Sequence, residues 1–581
     1  MSASVFDLAL LLAVLAPLLL AAAMALRPMR PAALALAPWA ALPALLLAVF
    51  GPTDAVLHLP WLLLGTALGL DETGRVFLLF TALLWLISGV YASGYLAGKE
   101  GRLGFFAYFL VAMAGNLGLI LAQDLASFYL CFALMSFASY GLVVHQRTTE
   151  ALRAGRVYIL LVVVGEIALF AALVLAMSAA DASDFAAVRS ALAEAESRDL
   201  ILALALVGFG IKAGVLALHV WLPLAHPVAP TPASAVLSGA MIKAGLLGWL
   251  RLLPLGELAL PQWGVAFVVL GLAAVFYGVA VGLTQRDPKT LLAYSSISQM
   301  GTLTLAVGLA LMAPELYPGL TAAIGLYALH HGLAKGALFL GVGVVGPARG
   351  RERRWTWLAL WLPALALAGA PLTSGMLAKA LVKAEALRVP APWDSLVTAL
   401  LPWAALATSL LLGRFLLQMA RPAGKAEGHG PTRGMIAAWL ILLLTVALVP
   451  WWVAPRPVNL WSFETMLASA WPVLLAVPIM LGTAWAVRRC RLRLPAIPAG
   501  DLLVPVGLTL GLVLRAACWL SEVALPAARE AVLSGLGRAR TGLDWPRLGE
   551  RTEADLSAWT NALVVLLLLG LIAALLGASH A

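Results

Sequence analysis

The sequence predicts an all-α polytopic membrane protein, and two observations support that prediction. Of the 581 residues, 62% are hydrophobic and only 11% are charged, and the mean hydropathy is +0.97. A soluble domain carries about 25% charged residues, so this chain lacks the polar surface that would cover a water-soluble core. The apolar residues also form repeated runs of about 20 residues, the length at which a helix crosses the hydrocarbon layer. A soluble enzyme is therefore excluded.

The apolar runs predict about 16–17 transmembrane helices. The first run lacks a basic leader and a clear cleavage site, so we expect a retained span and not a signal peptide. The predicted spans lie near residues 5–25, 32–50, 76–97, 104–121, 125–144, 157–178, 200–219, 233–253, 262–284, 290–311, 319–345, 356–381, 395–418, 434–453, 468–487, 502–520 and 558–577.

The basic residues between the runs predict the orientation. Most Lys and Arg residues lie in the links that follow odd-numbered spans, among them Arg286 and Lys289. Cytoplasmic links of membrane proteins carry an excess of these residues. We therefore expect the odd links in the cytoplasm, the N-terminus outside, and the chain in the inner (cytoplasmic) membrane. The net charge of +10 is then a topology signal and not a nucleic-acid surface.

Two kinds of segment depart from simple spans. Residues 521–557 mix charges of both signs with Leu and Ala, which predicts a short amphipathic helix along the membrane surface. Prolines at 223, 227, 230 and 232 predict a helix break within residues 221–234, and Gly369-Ala370-Pro371 predicts a second break. Broken helices at membrane depth occur where they line protein or a wet cavity, and a pair of them is typical of inverted-repeat transporters.

Lysines inside the predicted spans are the first candidate functional residues, because an intramembrane charge is costly unless it is paired, hydrated or functional. Lys212, Lys243 and Lys335 lie well inside their spans, and Lys379 closes the string GAPLTSGMLAK. A lysine removed from bulk water exchanges its proton more readily than an exposed one, so we predict that the four form a proton path. In the alternative interpretation they are structural, and either snorkel to the interface or neutralise a carboxylate between helices.

Histidines and one further lysine are candidates beside this row. His331 precedes Lys335 by one helical turn and shares its face, and because imidazole titrates near neutral pH we predict that it is a relay member. His330 is on another face and is predicted to pack or to form a hydrogen bond. His219, near the first break, fits either role, and Lys383 fits a snorkelling side chain better than a path residue.

Carboxylates are scarcer than lysines in the spans. Glu166 lies in mid-span with no neutralising residue in its own helix, so it needs a partner from another helix, and Lys212 is the predicted one. Asp124 begins its span and is predicted to cap that helix or to meet solvent. Asp71 and Glu72 likewise precede a span.

No motif assigns a cofactor or a metal. Cys131, Cys490 and Cys518 are too scattered for a C-x-x-C site, an iron–sulfur cluster or structural zinc. Residues 341–346 read G-V-G-V-V-G, but no strand precedes this dinucleotide-like string, so we predict close helix contact there instead. Because a Walker A sequence and Cys/His metal spacing are also missing from the sequence, we expect an ion gradient or partner proteins to supply the energy.

Four strings in this chain resemble the antiporter-like membrane subunits shared by respiratory complex I, by group 4 hydrogenases including formate hydrogenlyase, and by multisubunit sodium/proton antiporters. The wording SGAMIKAG is nearest to the hydrogenase-associated branch. The resemblance spans roughly residues 65–420 and implies two inverted five-helix bundles, each with a broken helix, and a water-filled path along the midplane. The strings are the block at 211–245 that runs from IKAG to SGAMIKAG, LLAYSSISQMG at 291–301, HGLAKGALFLG at 331–341, and GAPLTSGMLAK ending at Lys379.

The resemblance also implies a role for each lysine. Lys212 would be the gating base of the first bundle and Lys243 the central connector. His331 and Lys335 would be the next links, and Lys379 the terminal lysine of the second bundle. The expected domains are N-terminal helices at 1–103, the first bundle at 104–254, the second bundle at 255–418 and C-terminal helices at 419–581.

One residue departs from the family pattern. The family motif W-E-L-M-S-L-A-S-Y supplies a glutamate that pairs with the first-bundle lysine, whereas residues 132–140 of this chain read F-A-L-M-S-F-A-S-Y, with Ala133 in place of the acid. Relatives also place an acid after a glycine, as at Glu166. Three alternatives stay open: Glu166 takes over the role, a partner subunit supplies the carboxylate, or this bundle no longer pumps.

These features predict a non-catalytic, proton-translocating subunit of a multisubunit membrane complex. The driving reaction would belong to other membrane subunits, with a soluble redox or zinc-bearing protein as a further partner. One alternative is cation/proton antiport, with sodium as the second ion, or proton-driven uptake of inorganic carbon with a partner protein. The other is a structural membrane anchor with a degenerate ion path, which Ala133 motivates.

Overall fold

A computed structural model describes residues 3–53, 55–63, 65–421, 430–454, 462–489 and 497–500. These residues form α-helices and one hairpin of two strands, β1 (Val56–Leu59) and β2 (Thr66–Gly69). The helices are α1 (Ala3–Ala23), α2 (Arg30–Leu36), α3 (Leu42–Phe50), α4 (Glu72–Tyr95), α5 (Arg102–Leu121), α6 (Leu125–Val143), α7 (Thr149–Ala180), α8 (Phe185–Glu194), α9 (Arg198–Ala213), α10 (Trp221–Val228), α11 (Thr231–Val236), α12 (Lys243–Leu252), α13 (Pro261–Gly282), α14 (Pro288–Met312), α15 (Tyr317–Val345), α16 (Gly350–Ala359), α17 (Trp361–Ala368), α18 (Ser374–Ala386), α19 (Trp393–Ala420), α20 (Arg433–Val453) and α21 (Phe463–Arg489).

Thirteen helical segments in the described residues are long and apolar enough to cross a membrane. The all-α polytopic fold is therefore confirmed. Two predicted spans within the described residues, 200–219 and 356–381, have no continuous counterpart, because both correspond to broken helices. The predicted spans near 502–520 and 558–577, the amphipathic helix at 521–557, Cys490 and Cys518 lie outside the described residues.

The hairpin between α3 and α4 was not predicted. Its strands are antiparallel, with Val56 opposite Gly69 and Leu59 opposite Thr66. Strands of four residues are too short to give a clear alternation of apolar and polar side chains. The hairpin is tied to the start of α6, because the backbone N–H of Ala67 donates to Oδ2 of Asp124 at 2.9 Å.

Several helices begin at residues whose side chains satisfy the first free N–H groups. Asp124 caps α6 by accepting from the backbone N–H of Ser127 at 2.8 Å, which confirms its predicted capping role. Asp71 caps α4 and also forms an ion pair with Arg251. Side-chain caps occur at Asp71, Asp124, Thr148, Asp184, Asp287, Thr373 and Thr432.

The helix between Lys212 and Lys243 breaks twice, once before the proline-rich segment and once within it. Helix α9 ends at Ala213, and Gly214 then adopts a left-handed conformation with φ of +73°, which glycine tolerates without a Cβ clash. Pro223 lies in the first turn of α10, where its missing N–H removes no helical bond. The predicted break within residues 221–234 is therefore confirmed at Ala229–Pro230, and the chain also leaves the helix at 214–220, which the prolines did not predict.

The second predicted break is confirmed, and a third irregularity was not predicted. Helix α17 ends at Ala368, Gly369 has φ of +86°, and α18 begins at Ser374. Between α11 and α12, residues Leu237–Met241 form a π-helix. Such segments are frequent at functional sites, because they interrupt the regular backbone bonding of a helix.

The interior of the protein consists of its least apolar spans. Of the thirteen spans in the described residues, Thr231–Leu252, Pro288–Met312 and Pro314–Val345 have the lowest mean hydropathy and the greatest burial. Helices that face lipid must be apolar on their outer side, whereas a helix surrounded by protein can carry polar residues. Helix α15 packs against α4, α11, α14, α18 and α20, so it lies at the centre of this interior.

The glycine string at 341–346 packs closely against its neighbours. A Cβ atom at Gly341 would lie 2.6 Å from the side chain of Leu360, and one at Gly343 would overlap the hydroxyl of Tyr91. These glycines lie within or directly after α15 and not after a strand. The predicted close helix contact is therefore confirmed.

Candidate functional site

Lys212 lies in the last turn of α9, directly before the first break, and is buried. Its Nζ donates a hydrogen bond to the hydroxyl of Tyr158 at 3.4 Å. The same atom lies 5.8 Å from the ring centroids of Phe132 and of Tyr158. Nε1 of Trp221 donates to the carbonyl of Ile211 at 2.7 Å, which satisfies one acceptor freed by the break. The ammonium group thus faces aromatic rings and one hydroxyl.

Glu166 of α7 is buried and lines the same small cavity as Lys212. Its Oε2 has no hydrogen-bond partner among the described residues. The described residues contain three ion pairs with an N···O distance of 4.0 Å or less. Neither Glu166 nor Lys212 takes part in any of them. The cavity leaves ≈ 10 Å³ for the centre of a water-sized sphere, about the least that one water molecule requires. Acid and lysine therefore share a cavity without direct contact.

Ala133 borders the helix that carries this acid. Tyr129, four residues earlier on α6, donates its hydroxyl to the backbone carbonyl of Glu166 at 3.5 Å. Ser136, three residues later, accepts through its carbonyl from the hydroxyl of Tyr158 on α7 at 2.9 Å. Residues three and four apart share a helix face, so position 133 lies on the face of α6 that meets α7. An acid at 133 would approach the same interface as Glu166.

Lys243 lies at the centre of the buried row, as the first residue of α12 directly after the π-helix. Its side chain is fully buried. Its Nζ donates to the carbonyl of Ser238 at 2.6 Å, and Ser238 lies within the π-helix. The irregular segment thus provides an acceptor for the buried ammonium group.

A series of hydrogen bonds continues from Lys243 to Lys335. The hydroxyls of Ser238 and Ser296 lie 2.8 Å apart, and either can be the donor. The Ser296 hydroxyl also reaches the carbonyl of Leu292 at 3.1 Å. Nζ of Lys335 donates to that same carbonyl at 2.8 Å. The two lysines therefore lie at opposite ends of one chain of contacts, which crosses from α12 through α14 to α15.

The two histidines of α15 are both fully buried but differ in their contacts. Neither ring nitrogen of His331 has a hydrogen-bond partner in the described residues. Nδ1 of His330 lies 2.8 Å from the hydroxyl of Ser374, the first residue of α18. His330 therefore connects the central helix to the second break.

Lys379 lies in α18 and reaches back across the second break. Its Nζ donates to the carbonyls of Ala368 at 2.7 Å and Leu367 at 3.2 Å, which are freed at the end of α17. The lysine also lines a cavity that leaves ≈ 30 Å³ for the centres of water-sized spheres. This volume exceeds the minimum that a single water molecule needs. The polar side chains in that lining are Gln299, Thr302, Tyr327 and Thr408.

These polar side chains form their own hydrogen bonds beside Lys379. The Tyr327 hydroxyl donates to Oε1 of Gln299 at 2.7 Å, and Nε2 of Gln299 donates to the Thr408 hydroxyl at 3.1 Å. Gln299 lies one helical turn beyond Ser296 on α14. Helix α14 thus supplies polar groups both to the central series and to this cavity.

The two remaining accessory candidates are His219 and Lys383. His219 is buried in the segment between α9 and α10, with its ring centroid 5.3 Å from that of Tyr277 and 6.4 Å from that of Tyr294. Lys383 is half-buried, four residues beyond Lys379 on α18, and is not among the residues that line the second cavity.

Sequence reasoning missed two buried basic residues. Lys289 was interpreted as a link charge, but it is buried in the first turn of α14, and its Nζ donates to the carbonyl of Ala229 at the break before α11. His226 of α10 is fully buried and stacks on Phe339, with ring centroids 4.6 Å apart. The cap Asp287, which starts α14, is the sequence signal that could have placed Lys289 inside the helix.

The buried lysines lack carboxylate partners. In the described residues, no ion pair within 4.0 Å includes any of them, and the buried carboxylates there are Asp124 and Glu166. An uncompensated charge in the interior is expensive, so these ammonium groups cannot all be charged at once without a counter-anion. A row of amines in this state can accept and release protons. The lysines concerned are the buried Lys212, Lys243, Lys289 and Lys335, together with the half-buried Lys379.

Comparison with known proteins places these residues in a family. The sequence profile described as NADH:quinone oxidoreductase/Mrp antiporter, TM, matches residues 122–401, which include all five lysines. Residues 122–401 are therefore similar to this antiporter family. Hydrogenase-4 component B of Escherichia coli (strain K12) is 29% identical over 426 residues, which cover 67% of this chain and 63% of that protein. The chain thus spans less than two thirds of that relative's length.

Two solved structures share the antiporter-family fold. A chain of the Mrp complex from Dietzia sp. DQ12-45-1b superposes with a TM-score of 0.69 at 23% identity, over 98% of this chain and 63% of that chain. A chain of the membrane-bound sulfane sulfur reductase, an archaeal respiratory membrane complex, superposes with a TM-score of 0.66 at 20% identity, over 97% of this chain and 100% of that chain. At such identities the likeness concerns the fold.

Proposed function

We propose that this chain is a proton-translocating subunit of a multisubunit membrane complex. The observation that supports this most directly is the hydrogen-bonded series between Lys243 and Lys335, which contains the hydroxyls of Ser238 and Ser296. The hydroxyls of Ser238 and Ser296 can each take up and release a proton, whereas the backbone carbonyls at both ends of the series only accept hydrogen bonds. In the proposed path, each lysine side chain therefore moves from its carbonyl to the hydroxyl pair to exchange a proton. Lysines that served only in fixed ion pairs would not need hydroxyl groups between them.

The row extends from this centre towards both breaks. Lys212 with Glu166 forms the gating pair of the first bundle, and the cavity that they share has room for one water molecule between the acid and the ammonium group. His331 and His330 carry the path from Lys335 towards Ser374 and Lys379. The acid that the family places at position 133 is replaced by Glu166, which approaches the same helix interface.

The breaks also support the proposed domain organisation. The first bundle, 104–254, contains the break beside Lys212, and the second bundle, 255–418, contains the break beside Lys379. Each break exposes carbonyl groups at membrane depth, as in transporters built from inverted repeats. Helices α1 to α4 precede the first bundle in the chain, and α20 and α21 follow the second bundle. With the basic links in the cytoplasm, the N-terminus is outside the cytoplasmic membrane.

The partners are inferred from the names of the similar proteins. One is a component of hydrogenase-4, and the two solved structures are an Mrp complex and a respiratory membrane complex. We therefore assign this chain further membrane subunits as partners. The driving reaction, and any soluble redox partner, belong to those subunits.

The test begins with the complex purified from native membrane through a tag on this chain, with its subunits identified. The complex is placed in liposomes and driven by the reaction of its partners, while a pH-sensitive dye follows proton movement. We expect Lys335→Met to abolish proton movement. The control is Lys99→Met, which alters an exposed lysine whose Nζ lies 4.0 Å from the ring centroid of Tyr95. Normal proton movement in an assembled Lys335→Met complex would overturn the proposal.

Cation/proton antiport is the second candidate, and the cavity beside Lys379 favours it. Oxygen atoms of Gln299, Thr302, Tyr327 and Thr408 are available in its lining, and hard cations prefer oxygen ligands. An ammonium group in the same cavity would compete with a metal cation, as exchange of sodium for protons requires. Radioactive sodium uptake into the same liposomes distinguishes this candidate, because pure proton transport leaves it at background.

A further inference from the structure

His226 is a buried imidazole with no hydrogen-bonding role in the described structure. It is fully buried in α10, and neither ring nitrogen has a hydrogen-bond partner among the described residues. A buried polar group without a partner costs about 1–3 kcal/mol. One face of the ring stacks on Phe339, a contact that phenylalanine would make equally well. The ring nitrogens therefore need another explanation.

Three lysines lie close enough for their charges to act on this imidazole. They are Lys289, Lys335 and Lys243. One of the three, Lys289, is the lysine that the sequence alone assigned to a link. His226 is therefore close both to a lysine in the first turn of α14 and to the central lysines.

The printed contacts connect His226 to two of these lysines. Lys289 donates to the carbonyl of Ala229, three residues after His226. On the other side His226 stacks on Phe339, which lies one helical turn beyond Lys335 on α15. These contacts place His226 beside the segments that carry Lys335 and the acceptor of Lys289.

Helix α14 connects the same two lysines from its own side. Leu292, whose carbonyl accepts from Lys335, lies three residues beyond Lys289. One helical turn spans about 5.4 Å, so Lys289 lies about one turn closer to the start of α14 than the acceptor of Lys335. The imidazole, the two lysines and the start of α14 thus form one connected group.

This group begins at the protein surface. Arg286 and Asp287 are exposed, whereas Lys289 is buried only two residues beyond Asp287. Asp287 fixes the start of the helix by accepting from the backbone N–H of Thr290 at 2.7 Å. Lys289 is therefore the first buried titratable group on the way from that surface to Lys335.

We propose that Lys289 and His226 form a proton access branch that leads to Lys335 from the membrane side where α14 begins. The Lys289 ammonium releases a proton and becomes an amine, one ring nitrogen of His226 takes up a proton while the other releases one, and the Lys335 amine becomes an ammonium. One proton moves and no other bond changes. This branch rests on the proposed proton path, and the basic links place its opening in the cytoplasm.

The structural alternative is that Lys289 only satisfies the carbonyl of Ala229 at the helix break. Arginine separates the two roles, because it keeps the positive charge and the donors but does not release a proton in proteins. Similarly, His226→Phe keeps a ring against Phe339 and removes proton exchange.

The experiment uses the complete complex in liposomes with the driving reaction and the dye described above. We expect Lys289→Arg and His226→Phe each to slow proton movement by about tenfold or more, with normal assembly. Because both residues serve one branch, the double variant should be no slower than the slower single variant. Lys99→Arg and His58→Phe, which alter exposed residues, are the matched controls.

The outcomes separate this branch from the main path. Wild-type proton movement in Lys289→Arg or in His226→Phe, together with its loss in Lys335→Met, overturns the branch and leaves the proposed function standing. Losses that multiply in the double variant also contradict a shared branch. If His226→Phe does not assemble, Lys289→Arg decides alone. Normal proton movement in Lys335→Met removes the proposed function itself.

Discussion

The hydroxyl groups of Ser238 and Ser296 lie 2.8 Å apart and connect the π-helix to α14. On one side, the carbonyl of Ser238 accepts from Lys243. On the other, Ser296 shares the carbonyl of Leu292 with Lys335. The contact between the two serines is therefore the point at which the polar series passes from one helix to the next. It can be interrupted by removing a single oxygen atom.

Ser296→Ala should slow proton movement by about tenfold or more, because it removes the hydroxyl that joins Ser238 to the Leu292 carbonyl. The lost hydrogen bonds should lower the free energy of unfolding by only about 1–3 kcal/mol. The measurement is dye quenching by the reconstituted complex. The control is Ser93→Ala, since the hydroxyl of Ser93 makes the same bond to a carbonyl four residues earlier, Gly89, at 3.3 Å. Equal rates in the two variants would exclude a role for the serine contact.

Glu166→Gln should remove the acid of the first cavity and reduce proton movement strongly, because the amide cannot exchange a proton with Lys212. Position 133 lies on the face of α6 that meets α7, so Ala133→Glu supplies an acid at the same interface. We expect the double variant Ala133→Glu, Glu166→Gln to recover part of the lost rate in the liposome assay. An unaffected Glu166→Gln variant would instead assign the gating acid to another subunit or leave the first bundle without a pumping role.

The lysine row could be predicted from the sequence because each signal is local. A charge within an apolar run is evident without knowledge of neighbouring helices, as for Lys335, and Gly369 followed by Ala370 and Pro371 is a strong break signal. The break at 214–220 was not predicted, because no proline marks it. Prolines in the first turn of a helix remove no hydrogen bond, whereas Gly214 carries the actual change of direction.

The connections between the lysines could not be predicted in the same way. Ser238 and Ser296 are 58 residues apart, and their contact depends on how the π-helix faces α14. In the sequence, Lys289 lies in a link between spans and His226 lies in a helix, and nothing local indicates that either is buried. Their burial is evident only in the packed structure. The string LLAYSSISQMG does contain an excess of hydroxyls for a span, and this local signal could have identified α14 as a polar helix.

Gly369→Ala should disturb Lys379 directly. The glycine has φ of +86°, and a Cβ atom there would lie 2.9 Å from Cδ and 3.1 Å from Nζ of Lys379. Left-handed backbone costs a non-glycine residue about 1–2 kcal/mol, so we expect a lower unfolding midpoint together with slower proton movement. Gly350→Ala is the matched control, because Gly350 also has positive φ, +54°, but its Cβ would meet nothing within 4 Å. Equal loss of transport in both variants would argue against a role for the Lys379 contact.

His145 should make the stability of the α6–α7 link depend on pH. Burial lowers the pKa of this imidazole, and the charges of Arg147 and Lys99 lower it further. The unfolded chain therefore binds the proton at higher pH than the folded chain, so stability is lost as pH falls below the ordinary imidazole pKa of about 6.5. His145→Phe keeps a ring beside Phe105, whose centroid lies 5.3 Å from that of His145, and should reduce this acid-side loss. Unfolding midpoints at about pH 8 and about pH 5.5, on either side of that pKa, test the expectation, and an equal drop in both proteins would contradict it.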